Sequence, residues 1–341
     1  MKKFIIYVLS IIVPIFGGMA LVNYLVDPGH IYSDSYIEDV VEGARKGLCV
    51  TNVGNMDERI FKKKLIEIYK GKAFDYLAIG SSRVMTISED CLNGGTLLNL
   101  GVSGSRLEDM IALYQICKEN GITFNNVIIG TDPTLFNEND NDSRWKSIGS
   151  YYYAYKGLEN IDTNKEFKKI IILNLLSPSY FKSAISALSE DTKIKYVKTV
   201  INDGATKRPD GSIYYDKNIR EIQQSLVDAD ATTCCHGSFN NFESFSENRK
   251  NIFTEFVETL HNNGANIIIW CCPYHPIFYK RALEMKGLLP SIYFITEYAK
   301  EKGFKIIGSF NPEDLSLTNK DFYDGFHVRK ETVDEILLKS L

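Results

Sequence analysis

The chain opens on a long stretch with no polar face. Phe4 to Val26 carries no charge, follows Lys2-Lys3 and is closed by Asp27-Pro28. A membrane-crossing helix needs roughly 20 apolar residues, whereas the apolar region of a cleaved signal peptide spans only ~7–15. The length favours an uncleaved anchor, although Gly18-Met19-Ala20 offers small residues to a signal peptidase. Flanking lysines stay on the cytoplasmic side. The pattern therefore predicts a single-pass anchor over residues 1–28, N-terminus inside and the rest of the chain, 29–341, outside. Pro14 and Gly17-Gly18 mark where such a helix can bend.

Beyond the anchor, two periodicities alternate. Five short apolar runs, bounded mostly by glycine or proline, have the form of strands buried on both faces: 74–80 (FDYLAIG), 96–100 (TLLNL), 126–130 (NVIIG), 265–272 (ANIIIWCC) and 304–308 (FKIIG). Between and around them lie segments with helical spacing. These are Asp57–Tyr69, a helix opened by a capping box at Ser105-Arg106-Leu107-Glu108 and closed by Gly121, Asn248–Asn263, Ser291–Lys302 and Lys330–Leu341. Strands and helices in turn predict a three-layer α/β/α fold with a five-stranded, mainly parallel, flavodoxin-like sheet. The rhythm breaks over about 137–247. A polar loop (Asn137–Ser147), tyrosines at 151–153 and 155, helical segments at 164–175 and after Ser177-Pro178, and a turn at Arg208-Pro209-Asp210-Gly211 read as a largely helical insertion that helps shape the site.

Composition narrows the picture. The chain has 341 residues, 44% hydrophobic and 24% charged, with net charge -4, so it can bury a full core. Its basic residues are scattered, which gives no footprint for nucleic acid. Seven cysteines (Cys49, Cys91, Cys117, Cys234, Cys235, Cys271, Cys272) are an odd number in a chain too large to need disulfide staples. Cys234-Cys235-His236 lacks a second ligand pair at zinc spacing, so no metal or other cofactor is expected.

The chemistry sits at the strand ends, where ligands of open parallel sheets bind. Gly80-Ser81-Ser82-Arg83 follows the first strand, Gly101 to Gly104 the second, Thr131-Asp132 the third, Pro273-Tyr274-His275 the fourth, and Asp324-Gly325-Phe326-His327 comes after the fifth. A serine, a histidine and a carboxylate are the parts of an acyl-transfer triad. Ser82 is the expected nucleophile, with Ser81 behind it, His327 the base and Asp324 its orienting partner. Backbone N–H groups of Ser82 and Gly101 are the expected oxyanion donors. Ser81, Arg83, Thr131, Asp132 and His275 are candidate pocket residues. Arg83 could hold an anionic group or pair with a carboxylate, and Asp132 could hold loop amides or support the site. The tyrosine cluster could stack sugar rings or simply fill the core.

These motifs resemble those of the SGNH/GDSL hydrolase family. Gly80-Ser81-Ser82 is similar to its first motif, Asn99-Leu100-Gly101-Val102-Ser103-Gly104 to its second and Asp324-Gly325-Phe326-His327 to its last. The third, usually Gly-x-Asn-Asp, is matched only as Gly130-Thr131-Asp132-Pro133, without the oxyanion asparagine. The resemblance covers roughly 74–136 and 265–330. A Gly-Ser-Ser-Arg motif behind an N-terminal anchor further resembles the branch that works beside membrane-bound O-acyltransferases. That resemblance implies a serine acyltransferase or esterase of the cell envelope, acting on an acyl donor and a surface polysaccharide or teichoic-acid-like polymer. The rival implication is an inactive accessory that binds a glycan or an acyltransferase partner through the same cleft.

Overall fold

A computed structural model describes every residue except 34, 159–160, 162–168, 170, 189–192, 202 and 234–238. Cys234-Cys235-His236 and half of the helix expected at 164–175 lie outside the described residues. The fold is α/β. Five strands, β2 (Ala73–Ile79), β3 (Leu97–Asn99), β4 (Thr123–Gly130), β8 (Asn266–Cys271) and β9 (Lys305–Gly308), form one all-parallel sheet in the order β3-β2-β4-β8-β9. Renumbered within the sheet this is 2-1-3-4-5, the flavodoxin-like order, with its switch point between β2 and β4.

Alternation along each strand divides the core. Leu77, Ile79, Val127, Ile129, Ile267 and Ile269 point to one face, where they meet α3 (Glu58–Ile68), α4 (Leu107–Glu119), α9 (Glu247–Asn262) and α11 (Leu288–Lys302). Ala78, Ile128, Ile268 and Trp270 point to the other, beneath Val227 of α8 (Gln224–Thr233) and Val333 and Leu337 of α12 (Lys330–Ser340). Every strand is therefore apolar on both sides, which is why these runs show no polar alternation.

Helix starts follow local chemistry. Asp57 caps α3 through the amides of Arg59 and Ile60, and Ser246 caps α9 through Arg249. The capping box expected from Ser105 to Glu108 is displaced by one residue: Asp109 accepts from the Arg106 amide at 2.8 Å, and α4 begins at Leu107. Glu108 is drawn instead to Arg249.

The insertion is more than helical. Three of its short strands, β5 (Lys195–Val197), β6 (Thr206–Lys207) and β7 (Ile213–Tyr214), join β1 (Cys49–Thr51) in an antiparallel sheet of order β5-β1-β6-β7. Its α5 (Gly149–Tyr155) packs tyrosines into aromatic core, Tyr155 against Tyr114 and Phe256, and Tyr152 against Trp145. Ahead of β1, residues Ser35–Arg45 form α2, which sequence spacing left unassigned. At the N-terminus α1 (Lys2–Val26) is one helix, unbroken through Pro14, long and apolar enough to cross a membrane.

Candidate active site

Ser82 stands at the end of β2, on a turn that Gly80 makes possible. Gly80 has φ +154°, and a Cβ there would lie 2.7 Å from Val84 Cγ2 and 3.0 Å from Gly130 Cα. Only glycine accepts that conformation and that proximity without strain. The chain then continues through tight turns, Val84 N–H bonding Ser81 O and Met85 N–H bonding Ser82 O, so neither serine caps a helix.

The side chains flanking Ser82 are fixed by one carboxylate. Ser81 Oγ donates to Asp132 Oδ2, and Arg83 Nη1 donates to Asp132 Oδ1. Arg83 also donates to the carbonyls of Cys272 and Pro273 and lies 4.0 Å over the Tyr274 ring. Ser81, Arg83 and Asp132 are all buried, so this cluster ties the ends of β2, β4 and β8 together beneath Ser82. Arg83 therefore takes the carboxylate-pairing role.

Ser82 Oγ lies 2.7 Å from His327 Nε2, and His327 Nδ1 lies 2.7 Å from Asp324 Oδ2. Asp324 Oδ1 accepts from the amides of Phe326 and His327, at 2.8 Å each. Burial opposes charge on Asp324, but the His327 hydrogen bond and those amides outweigh it and hold the carboxyl below its ordinary range. An ionised Asp324 accepts a hydrogen bond from Nδ1–H and so keeps the ring proton there, which leaves Nε2 with the lone pair facing the serine hydroxyl. The His327 side chain is 25% exposed, enough for a substrate to reach the pair. Under it, Thr86, Cys272 and Val333 pack without a water-sized space.

The loop after β3 is held from several sides. Asn99 donates to the carbonyls of Val84 and Ile87 and accepts from Gly101 N–H at 2.8 Å. Val102 N–H bonds Gly80 O, Glu58 takes the Ser103 amide at 2.6 Å, and Arg59 bonds Ser103 O at 3.0 Å while paired with buried Asp109. Gly101 N–H, expected to face an oxyanion, is thus engaged by Asn99. No described residue accepts from Ser82 N–H, the other expected donor.

Two expected pocket residues do not open on the site. Thr131 is buried and bonds Trp270 O through its amide and hydroxyl. His275 is fully buried at the start of α10 (Pro276–Ala282), its Nδ1 accepting from Ile277 N–H and its Nε2 3.4 Å from Asp228. Burial lowers its pKa. The fourth strand's loop therefore contributes a helix cap and carbonyls for Arg83.

Sequence reasoning passed over Tyr215, whose ring stands edge-on to His327 at 6.4 Å. Burial, then the Glu58 and Asp324 carboxylates, push its phenol well above the ordinary range. Glu58 belongs to the wall of a cavity of about 600 Å³ that Ser103, Lys207, Ile213, Gly29, Ile31 and Tyr180 also line. Tyr215 follows a strand too short to announce itself, so only the three-dimensional packing reveals it. The five cysteines among the described residues are free and buried. Compared with known proteins, the sequence matches no family model and no curated protein.

Proposed function

We propose that this chain is a serine-dependent acyl-transfer enzyme of SGNH-like type, held in a membrane by α1 with its α/β domain outside. Its substrates are an acyl donor and a surface polysaccharide or teichoic-acid-like polymer, and it works as an O-acyltransferase or esterase beside a membrane-bound acyltransferase. The observation that carries this reading is the continuous chain of hydrogen bonds from Ser82 Oγ through His327 to Asp324, at 2.7 Å for each link. In this mechanism Ser82 attacks the acyl carbonyl as Nε2 of His327 takes its proton. Asp324 stabilises the imidazolium, and Ser82 N–H donates to the oxyanion, a contact typically worth ~3 kcal/mol. The tetrahedral intermediate collapses as the imidazolium gives that proton to the departing group of the acyl donor, which leaves an ester on Ser82 Oγ. A sugar hydroxyl or water, deprotonated by the now neutral His327, attacks this ester, and Ser82 Oγ departs with the proton that His327 returns.

The cavity walled by Glu58 supports the reading, since its volume lies in the ~300–1,000 Å³ range of small-molecule sites. The second reading, an inactive accessory with the same cleft, draws on a specific observation as well: Gly101 N–H is spent on Asn99, and Asp132 stands where the family has its asparagine relay. One experiment separates them. The full chain in mild detergent is treated with a fluorophosphonate probe. Labelling that disappears in Ser82→Ala and is lost or strongly slowed in His327→Ala supports the enzyme. A folded wild-type chain that takes no label favours the accessory.

A further inference from the structure

The anchor does not end in a loose tether. Asn23, fully buried on α1, donates through its side-chain amide to the carbonyls of Asn174, Leu175 and Ser177, at 3.2, 2.9 and 3.3 Å. Asp27, in the left-handed region at φ 44°, accepts from the amides of Ile31 and Tyr32 and from the Tyr180 hydroxyl. Tyr32 in turn donates to Ile171 O at 3.2 Å and packs between Tyr24 and Tyr180. The first helix is thereby bolted to a helix–turn–helix of the insertion: residues 171–175, a turn at Leu176-Ser177, and α6 (Pro178–Ala187).

That hairpin is apolar on its outside. Ile172, Leu173, Leu176, Ile185 and Leu188 are 61, 58, 48, 49 and 68% exposed. On α6 the apolar positions Phe181, Ile185 and Leu188 recur at i, i+4 and i+7, while Ser179, Lys182 and Ser183 occupy other faces. No described residue covers these side chains. Depth follows from the anchor. A helix of 25 residues is about 37 Å long, against ~30 Å of hydrocarbon, so its last turns reach the headgroup layer. Those are the turns that carry Asn23 and receive the hairpin. Shielding there begins at Met19 and continues at Ala20, Val22 and Val26. The tyrosines at 24, 32 and 180 form a small aromatic belt at the same level, where amphipathic rings favour the interface.

We infer that residues 171–188 are a second membrane contact, an amphipathic hairpin whose Ile172, Leu173, Leu176, Ile185 and Leu188 enter the acyl–headgroup boundary beside α1. The occupant of this face is lipid. The inference rests on the reading of α1 as a membrane span. A hairpin of this kind lies within the ~5–10 Å depth that interfacial helices reach.

Tryptophan placement tests it in the full chain, because Trp145 and Trp270 are both buried. Leu173→Trp, Ile185→Trp, Val13→Trp and Tyr293→Trp each replace an exposed residue, so the fold is unaffected. The variants are reconstituted in phosphatidylcholine vesicles with or without acyl-brominated lipid. The expected result is strong lipid quenching at positions 13, 173 and 185, and only aqueous iodide quenching at position 293. If positions 173 and 185 respond to iodide like 293 while 13 is quenched by lipid, the anchor stands and the hairpin contact is overturned. If 173 and 185 are shielded from both quenchers, protein covers the face and the lipid assignment is again overturned. Absence of lipid quenching at 13 overturns the span and the inference with it.

Discussion

Replacing Asp324 with its isosteric amide leaves His327 without the acceptor that fixes its Nδ1 proton. Asp324→Asn should slow fluorophosphonate labelling by ~10⁴-fold while the thermal melting curve stays close to wild type. Asp132→Asn should do the reverse, because it touches support and not chemistry. It leaves the Arg83 guanidinium, whose side chain is 6% exposed, without its charge partner, a loss of about 3–5 kcal/mol. Adding Arg83→Met should recover part of the lost melting temperature. Lys62 offers a pH test. It is fully buried, donating to the carbonyls of Asn99 at 2.8 Å and Gly211 at 2.6 Å. Burial, then neighbouring Lys207, bring its pKa down to about 7. Between that value and the ordinary ~10.4, the unfolded chain binds a proton that the folded chain does not, so stability rises with pH across this window. Lys62→Met should flatten the rise, as read from melting temperatures at pH 7, 8 and 9. Residue identities were legible unevenly. Ser82, Asp324 and His327 announce themselves because few residue types can do their chemistry. The support around them shows less: Asn99 looks like any polar residue near a strand end, and Asp132 is readable as a supporting carboxylate but not as the shared partner of Ser81 and Arg83.

At the level of elements, the ends of β2 and β4 touch through glycines. A Cβ on Gly130 would lie 2.2 Å from Val84 Cγ2, and Gly80 has the conflicts already described. Gly80→Ala should therefore destabilise the chain by about 1–3 kcal/mol and also slow labelling of Ser82, measured together by melting and probe kinetics. A fall in stability with unchanged labelling would show that the turn does not position Ser82. The five sheet strands were readable because each is buried on both faces and most are bounded by glycine or proline, which interrupt a strand. The antiparallel sheet was not. Its β6 and β7 are two residues each and β1 and β5 three, too short for any period to register. The start of α4 was misplaced by one residue because two acids, Glu108 and Asp109, compete for the capping role. Only the position of Arg249, 141 residues away, decides between them.

For the whole molecule, parallel topology made the meeting of Ser82 and His327 foreseeable, since strand C-terminal ends gather on one edge. The union of anchor and insertion was not foreseeable. Asn23 reads as a minor polar interruption of an apolar run, and its partners lie about 150 residues on. Asn23→Leu removes the shared donor of three carbonyls. It should speed hydrogen exchange across 171–188 while probe labelling of Ser82 is maintained.

This junction bears on where the chain can act. Eight residues separate α1 from α2, and several of them are bonded to Asp27 or Tyr180, so the α/β domain has no leash to swing on. With α1 in a bilayer, the cleft would ride at one altitude and one orientation, searching a thin slab parallel to the membrane. If the chain acylates a surface polymer as proposed, that polymer would be decorated on the units nearest its point of attachment, and the pattern of substitution along it would record the stature of this protein.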